Sequence, residues 1–198
     1  MEWYPLVRTN EISVLVGGEA GVGISAAGSL LGRAFLRGGL HVFGTIDYPS
    51  LIRGGHNFYL LRAAAQPVFA QWDTVDLMIA FDAKTIERHR GELVPDGGIL
   101  YDSDQVPAGS PELPKNGIQL YPTPLASIVK TVEGAPVVRN TVALGAAVGI
   151  LNYEFDIFES VLQETFADKG TKVVEMNRRA ARAGSRARAP CEGGVSKK

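Results

Sequence analysis

The stretch that most constrains this chain is residues 12–46. Ile12 to Val16 (I-S-V-L-V) is a short β-branched run with no helical period, and it breaks off at Gly17-Gly18. Such a run reads as a buried strand entering a turn. From Ile24 onward Ala27, Leu30, Leu31, Ala34 and Phe35 return at three- and four-residue steps until Gly38-Gly39, the pattern of a helix packed on a sheet. Leu40 to Ile46 is apolar again. Strand, glycine turn, helix and strand follow in the order of a βαβ unit.

The same alternation continues downstream. Residues 57–63 and 75–81 read as strands, the second buried and ending at Asp82. Residues 84–93 form a charged amphipathic helix, and after the turn Pro95-Asp96-Gly97-Gly98 a strand begins at 99–101. The Pro-, Ser- and Gly-rich stretch 103–117 is a loop, 118–121 a short strand and 123–131 a helix. Residues 140–151, small and almost uncharged, suit a helix buried on several sides or pressed against another subunit, which makes it the first candidate contact surface. Helices are expected at 155–167 and 173–183. The result is a three-layer α/β/α fold with a largely parallel, Rossmann-like sheet. One domain is expected over 10–180, with 181–198 a basic low-complexity tail or linker.

Composition narrows the function classes. At 198 residues the chain can bury one substantial core. No apolar run is long enough to span a bilayer, and the N-terminus lacks a basic region followed by an apolar stretch, so a soluble cytoplasmic protein is expected. The one cysteine, Cys191, allows neither an internal disulfide nor a thiolate cage for zinc or an iron–sulfur cluster. The net charge of −1 hides an asymmetry: residues 1–171 carry 12 Lys+Arg against 19 Asp+Glu, and 172–198 carry 8 against 2. Arg178, Arg179, Arg182, Arg186 and Arg188 could attract phosphates, but no aromatics are interleaved for base stacking, so a solvated tail is the readier reading and no nucleic-acid partner is expected.

Two constellations are candidates for chemistry. Gly17-Gly18-Glu19-Ala20-Gly21-Val22-Gly23 lies between a strand and a helix N-terminus, where backbone N–H groups and the helix dipole can hold a phosphate or carboxylate. Its spacing departs from the dinucleotide pattern and lacks the Lys-Ser/Thr of a nucleoside-triphosphate loop. Glycines needed only for a tight turn and close packing are the competing reading. The second constellation, Asp47 to Asn57, holds Ser50, Arg53, Gly54, Gly55 and His56. Arg53 can present a guanidinium fork over flexible backbone, toward a ligand or toward an interface carboxylate. Ser50 with His56 makes a poor nucleophile pair, since neither a glycine-flanked elbow nor an orienting acid accompanies it. His41, His56 and His89 lack the spacing of metal ligands, and no metal site is assigned.

The runs G-G-E-A-G-V-G-I-S-A-A-G-S-L-L-G-R-A, G-G-L-H-V-F-G and D-Y-P-S-L-I-R-G-G-H-N-F-Y-L-L-R together resemble the gamma subunit or gamma domain of 2-oxoacid:ferredoxin oxidoreductases. The similarity is greatest to the 2-oxoglutarate type, in which this domain opens the alpha chain, and it covers roughly residues 10–180. Asn140 to Ala146 also resembles the family's buried helix. The resemblance implies a non-autonomous part of an enzyme that oxidatively decarboxylates a 2-oxoacid (pyruvate or 2-oxoglutarate) to an acyl-coenzyme A and passes electrons to ferredoxin. Thiamine diphosphate, magnesium and iron–sulfur clusters would sit in alpha, beta and ferredoxin-type partner chains, with coenzyme A as co-substrate. It further implies that Gly18, Gly21, Gly23, Ser50, Arg53, Gly54, Gly55 and His56 face coenzyme A or the neighbouring catalytic domain, Arg53 foremost. No catalytic residue is assigned to this chain. The fused relatives continue into a thiamine-binding domain, so the gamma part here is either a separate subunit or a truncated chain. A stand-alone nucleotide-binding or regulatory module is the alternative.

Overall fold

A computed structural model describes residues 11–47, 55–115 and 117–187. Strand β1 (Glu11–Glu19) outruns the apolar segment 12–16 because β3 (His56–Ala64) pairs with it antiparallel to its last residue, with Gly17 opposite Phe58, Gly18 opposite Asn57 and Glu19 opposite His56. Gly17 and Gly18 therefore belong to the strand, and the turn is confined to residues 20–23. Helix α1 (Ile24–Arg37) follows and stops at Gly38-Gly39.

Strand β2 (His41–Asp47) does not pair with β1. The order across the six-stranded sheet is β2-β3-β1-β4-β5-β6, and β3 lies antiparallel between the two strands of the expected βαβ unit. A short connection between β2 and β3 permits antiparallel pairing, whereas parallel neighbours need a long crossover. On the other side β4 (Val75–Ala80), β5 (Leu93–Asp102) and β6 (Gln119–Thr123) are all parallel to β1 or to one another. The α/β class and the largely parallel, Rossmann-like sheet hold, with β3 the strand that runs against the rest. β5 starts before Ile99, because the turn residues 95–98 are absorbed as an irregularity: Val75 faces Leu93 and Leu77 faces Gly98.

The layers are unequal. Helices α3 (Leu125–Thr131), α4 (Arg139–Ile150), α5 (Phe155–Phe166) and α6 (Thr171–Arg186) join α1 on one face, over Val14, Val16, Leu61, Leu77, Ile79 and Leu100. The other face carries Leu15, Met78, Ala80, Ile99 and Tyr101. It is covered by α2 (Ala83–His89) and the irregular segment 103–115, through Ile86, Val106 and Leu113.

Helix α4 is not a contact surface for another subunit. Its residues from Thr141 to Gly149 are buried within this chain, and α6 is the cover. A Cβ on Gly145 would collide with the Ala181 carbonyl, and one on Gly184 with the Val142 carbonyl, so the two helices meet backbone to backbone. α6 continues to Arg186, into the stretch expected as a tail. Among the described residues no helix is long and apolar enough to cross a membrane.

Candidate functional site

The turn after β1 sits where the carboxyl ends of β1 and β4 meet the first turn of α1, the usual place for ligands on open α/β sheets. Gly23 is the N-cap residue of α1 at φ 83°, a left-handed conformation that glycine adopts freely, and no side chain caps the helix. The first amides of α1 are thus left free of side-chain acceptors. Asn140, in the first turn of α4, staples the turn from the other side: its Nδ2 donates to the Val22 carbonyl at 2.7 Å and to the Gly23 carbonyl at 3.4 Å. A Cβ on Gly23 would stand 2.8 Å from that nitrogen. Gly18 faces Ile24 and Phe81 and supports the turn from below.

Beside the turn opens a cavity of about 650 Å³ between α1, α4, α5 and α6. Gly21, Gly23, Ala26 and Leu30 form one wall, and Val137, Leu144, Phe166 and Met176 much of the rest. The first turns of α4 and α6 border it as well, and neither is capped by a side chain. Lys169 lies at the rim with its ammonium 5.6 Å from the centre of the Phe166 ring. An apolar chamber with helix N-termini and a cation at its edge suits a ligand with an apolar body and an anionic group.

Arg139, one of the residues that line this cavity, faces a buried carboxylate. The Asp102 side chain is fully buried at the end of β5, and its Oδ1 accepts from the amides of Asp104 and Leu125 at 3.1 and 3.2 Å. Burial pushes its carboxyl above the usual carboxylate range, against the pull of Arg139. Arg139 Nε lies 3.2 Å from Asp102 Oδ2, an ion-pair contact rather than an aligned hydrogen bond, and its Nη2 donates to the Phe81 carbonyl at 2.7 Å. Arg139 thereby joins β4, β5 and the start of α4, and it cannot turn toward a ligand without leaving Asp102 unpaired.

His56 is placed elsewhere. It lies on the α2 side of the sheet, 3% exposed, and its Nε2 is 2.9 Å from Nε2 of His89, whose Nδ1 is in turn 2.8 Å from Glu92 Oε1. The two Nε2 atoms share one proton, which leaves Nδ1 as the other polar atom of the His56 ring. That Nδ1 is buried and has no hydrogen-bond partner. Burial, reinforced by His89, holds the His56 imidazole down at about 4, neutral at physiological pH. Gly55 links this strand to the turn, its carbonyl accepting from the Ala20 amide at 2.8 Å. Ser50, Arg53 and Gly54 lie outside the described residues.

Sequence reading thus located the turn but missed the groups around it. Asn140 stood within the N-T-V-A-L-G-A segment noted for its helix, yet nothing local showed that its amide reaches back to residues 22 and 23. His56 and His89 looked unrelated by spacing, because the contact is made by a strand and a helix from different parts of the chain. Arg178 and Arg182, counted toward a basic tail, are both paired with Glu159 of α5, at 3.2 and 2.8 Å. Among the described residues no three His, Cys, Asp or Glu side chains converge as metal ligands would.

Residues 13–187 match the family model for pyruvate ferredoxin/flavodoxin oxidoreductase. The alpha subunit of 2-oxoacid:ferredoxin oxidoreductase 2 from Aeropyrum pernix is 28% identical over 211 residues; the match takes in 87% of this chain and 33% of that subunit. The chain therefore spans about a third of the length of this relative. Among solved structures, 2-oxoglutarate:ferredoxin oxidoreductase from Magnetococcus marinus, with 2-oxoglutarate, coenzyme A and succinyl-CoA bound, superimposes with a TM-score of 0.80 at 28% identity. That match covers 91% of this chain and 31% of the other. The gamma subunit of a keto/oxoacid ferredoxin oxidoreductase from Geobacter sulfurreducens shares the fold at 22% identity and a TM-score of 0.77, over 90% of this chain and 97% of its own.

Proposed function

The chain belongs to the pyruvate ferredoxin/flavodoxin oxidoreductase family, as a gamma-type domain, and we propose that it supports coenzyme A-dependent oxidative decarboxylation of a 2-oxoacid within a larger enzyme. The observation that carries this reading is the glycine turn and its cavity, on a fold shared over 91% of the chain with an enzyme that was solved with coenzyme A bound. Pyruvate and 2-oxoglutarate are the substrates proposed, and ferredoxin the electron acceptor. Thiamine diphosphate with magnesium would supply decarboxylation and iron–sulfur clusters the electron path, both from partner chains.

This chain's share is binding and placement. Gly21 and Gly23 line the cavity and leave the first amides of α1 free for an anionic group, with Lys169 at the rim as counter-charge. Gly18 and Gly55 hold the turn in shape, one by packing and one through its carbonyl. Ser50, Arg53 and Gly54 are proposed to approach the same ligand from the connection between β2 and β3, Arg53 with its fork on phosphate or on an interface carboxylate. His56, at the start of β3, sits on the opposite face of the sheet against His89.

The test is an anaerobic affinity purification of the tagged chain from its own cells, with mass spectrometry of what accompanies it and an assay of 2-oxoacid-dependent dye reduction. Thiamine- and cluster-bearing oxidoreductase chains, with reduction that requires coenzyme A, are the expected result. A chain recovered without them defeats the reading.

A further inference from the structure

The sheet is closed on one face and half open on the other. α2 and the segment 103–115 cover β1, β4 and β5 and reach the start of β3, where His56 and Phe58 lie against His89, while among the described residues no helix lies above β2 on that side. The register shows what is left uncovered. Phe43 lies opposite Arg62, Thr45 opposite Leu60 and Asp47 opposite Phe58, so Phe43, Phe58, Leu60 and Arg62 share one face, and none of them is fully buried. Trp72 extends this face. The Arg62 guanidinium stacks 4.5 Å above its ring, and its indole nitrogen donates to Glu11, which also takes Arg62 Nε at 2.6 Å.

The loop that carries Trp72 is pinned to the sheet. Gln71 Nε2 donates to the carbonyls of Phe43 and Leu60, at 3.0 and 2.9 Å, and Arg62 Nη1 donates to the Ala70 carbonyl. Next to these bonded residues Phe69 stands 84% exposed, the most exposed large hydrophobic side chain among the described residues. Rigid backbone that holds a bare aromatic beside a half-open aromatic sheet face is the arrangement of an interface anchor.

We infer that this face, centred on Phe69 and Trp72, docks the remainder of an alpha-type 2-oxoacid:ferredoxin oxidoreductase polypeptide. The inference rests on the proposed function. The occupant is argued from length: the domain makes up 33% of the Aeropyrum alpha subunit and 31% of the Magnetococcus chain, so in both it shares one polypeptide with a body about twice its size. Phe69 and Trp72 are the large aromatic side chains that stand exposed among the described residues, and they place that contact on the β2–β3 face. The exposed Asp47 and Asp73 at its margins call for a basic rim on the partner.

Phe69→Asp in the full chain tests this, with Leu36→Asp, another exposed apolar side chain but on the helical face, as control. Both variants should fold, as checked by circular dichroism and thermal unfolding. In anaerobic affinity purification, Phe69→Asp should lower recovery of the alpha-type chain about tenfold while Leu36→Asp recovers it like wild type. Equal recovery by Phe69→Asp overturns the face and leaves the proposed function standing. A wild-type chain that recovers no oxidoreductase partner overturns both. A wild-type dimer in sedimentation that Phe69→Asp converts to monomer overturns the occupant in favour of a second copy.

Discussion

At the scale of single residues, the site depends on conformations that a side chain would disturb. Gly23→Ala places a Cβ at φ 83° and 2.8 Å from Asn140 Nδ2, and should cost about 1–2 kcal/mol in urea unfolding at pH 7. His56 gives a second expectation, with its sign fixed by the direction of the shift. A histidine held at about 4 in the folded chain and free to take its ordinary value when unfolded contributes fully above that ordinary value. Its contribution is lost as pH falls from about 6.5 toward 4. Urea midpoints for wild type should drop over this window, and His56→Asn should flatten the drop; an unchanged slope would mean that His56 takes up its proton alike in the folded and the unfolded chain. At this scale the sequence was legible where a residue acts locally, as Gly21 and Gly23 do. It was mute where two residues act together across the chain: the pairing of His56 with His89, or of Asn140 with residues 22 and 23, leaves no trace in spacing.

At the scale of elements, periodicity was enough for α1, α4, α5 and α6, and insufficient for partnership. The apolar, small-residue run at 140–151 announced a helix surrounded on several sides, but the same composition serves an internal and an intersubunit contact equally well. The buried face of α6, with Val174, Asn177, Ala180, Ala181 and Gly184 at three- and four-residue steps, supplied the missing partner inside a helix whose arginines drew attention instead. Because the α4–α6 contact is backbone to backbone, Gly184→Ala should be far costlier than an ordinary helical glycine-to-alanine change, which is mildly favourable. Forcing the helices apart is expected to lose about 2–4 kcal/mol in chemical denaturation. β3 shows the opposite limit: its sequence reads well as a strand, but nothing in it states that it runs antiparallel between β1 and β2. Strand order is decided by the short connection to β2 and by pairing along nine residues of β1.

At the scale of the whole molecule, the alternation of strands and helices made the α/β class legible, while the unequal layering was not, because Phe43 and Thr45 are ordinary strand residues until one knows that, among the described residues, no helix lies above β2 on their side. What closes the molecule is the junction at the carboxyl end of the sheet, where Asp102 and Arg139 tie β4, β5 and the helical layer together. Burial already raises the Asp102 carboxyl, and Arg139 is the group that opposes the rise. Arg139→Met would leave a fully buried carboxylate uncompensated, at a cost of about 3–5 kcal/mol at neutral pH. The folded-state value of Asp102 would then rise further above its unfolded value, so the variant should regain stability as pH is lowered and Asp102 protonates, the reverse of the His56 dependence. Asp102→Asn placed on Arg139→Met should recover part of the loss at pH 7, since a neutral amide can keep the Leu125 and Asp104 amides as donors without a buried charge. Urea unfolding of the single and double variants at pH 5 and pH 7 separates the two possibilities. A loss in Arg139→Met that is independent of pH and not relieved by Asp102→Asn would show that Arg139 acts through the Phe81 carbonyl and packing, not through the charge it faces.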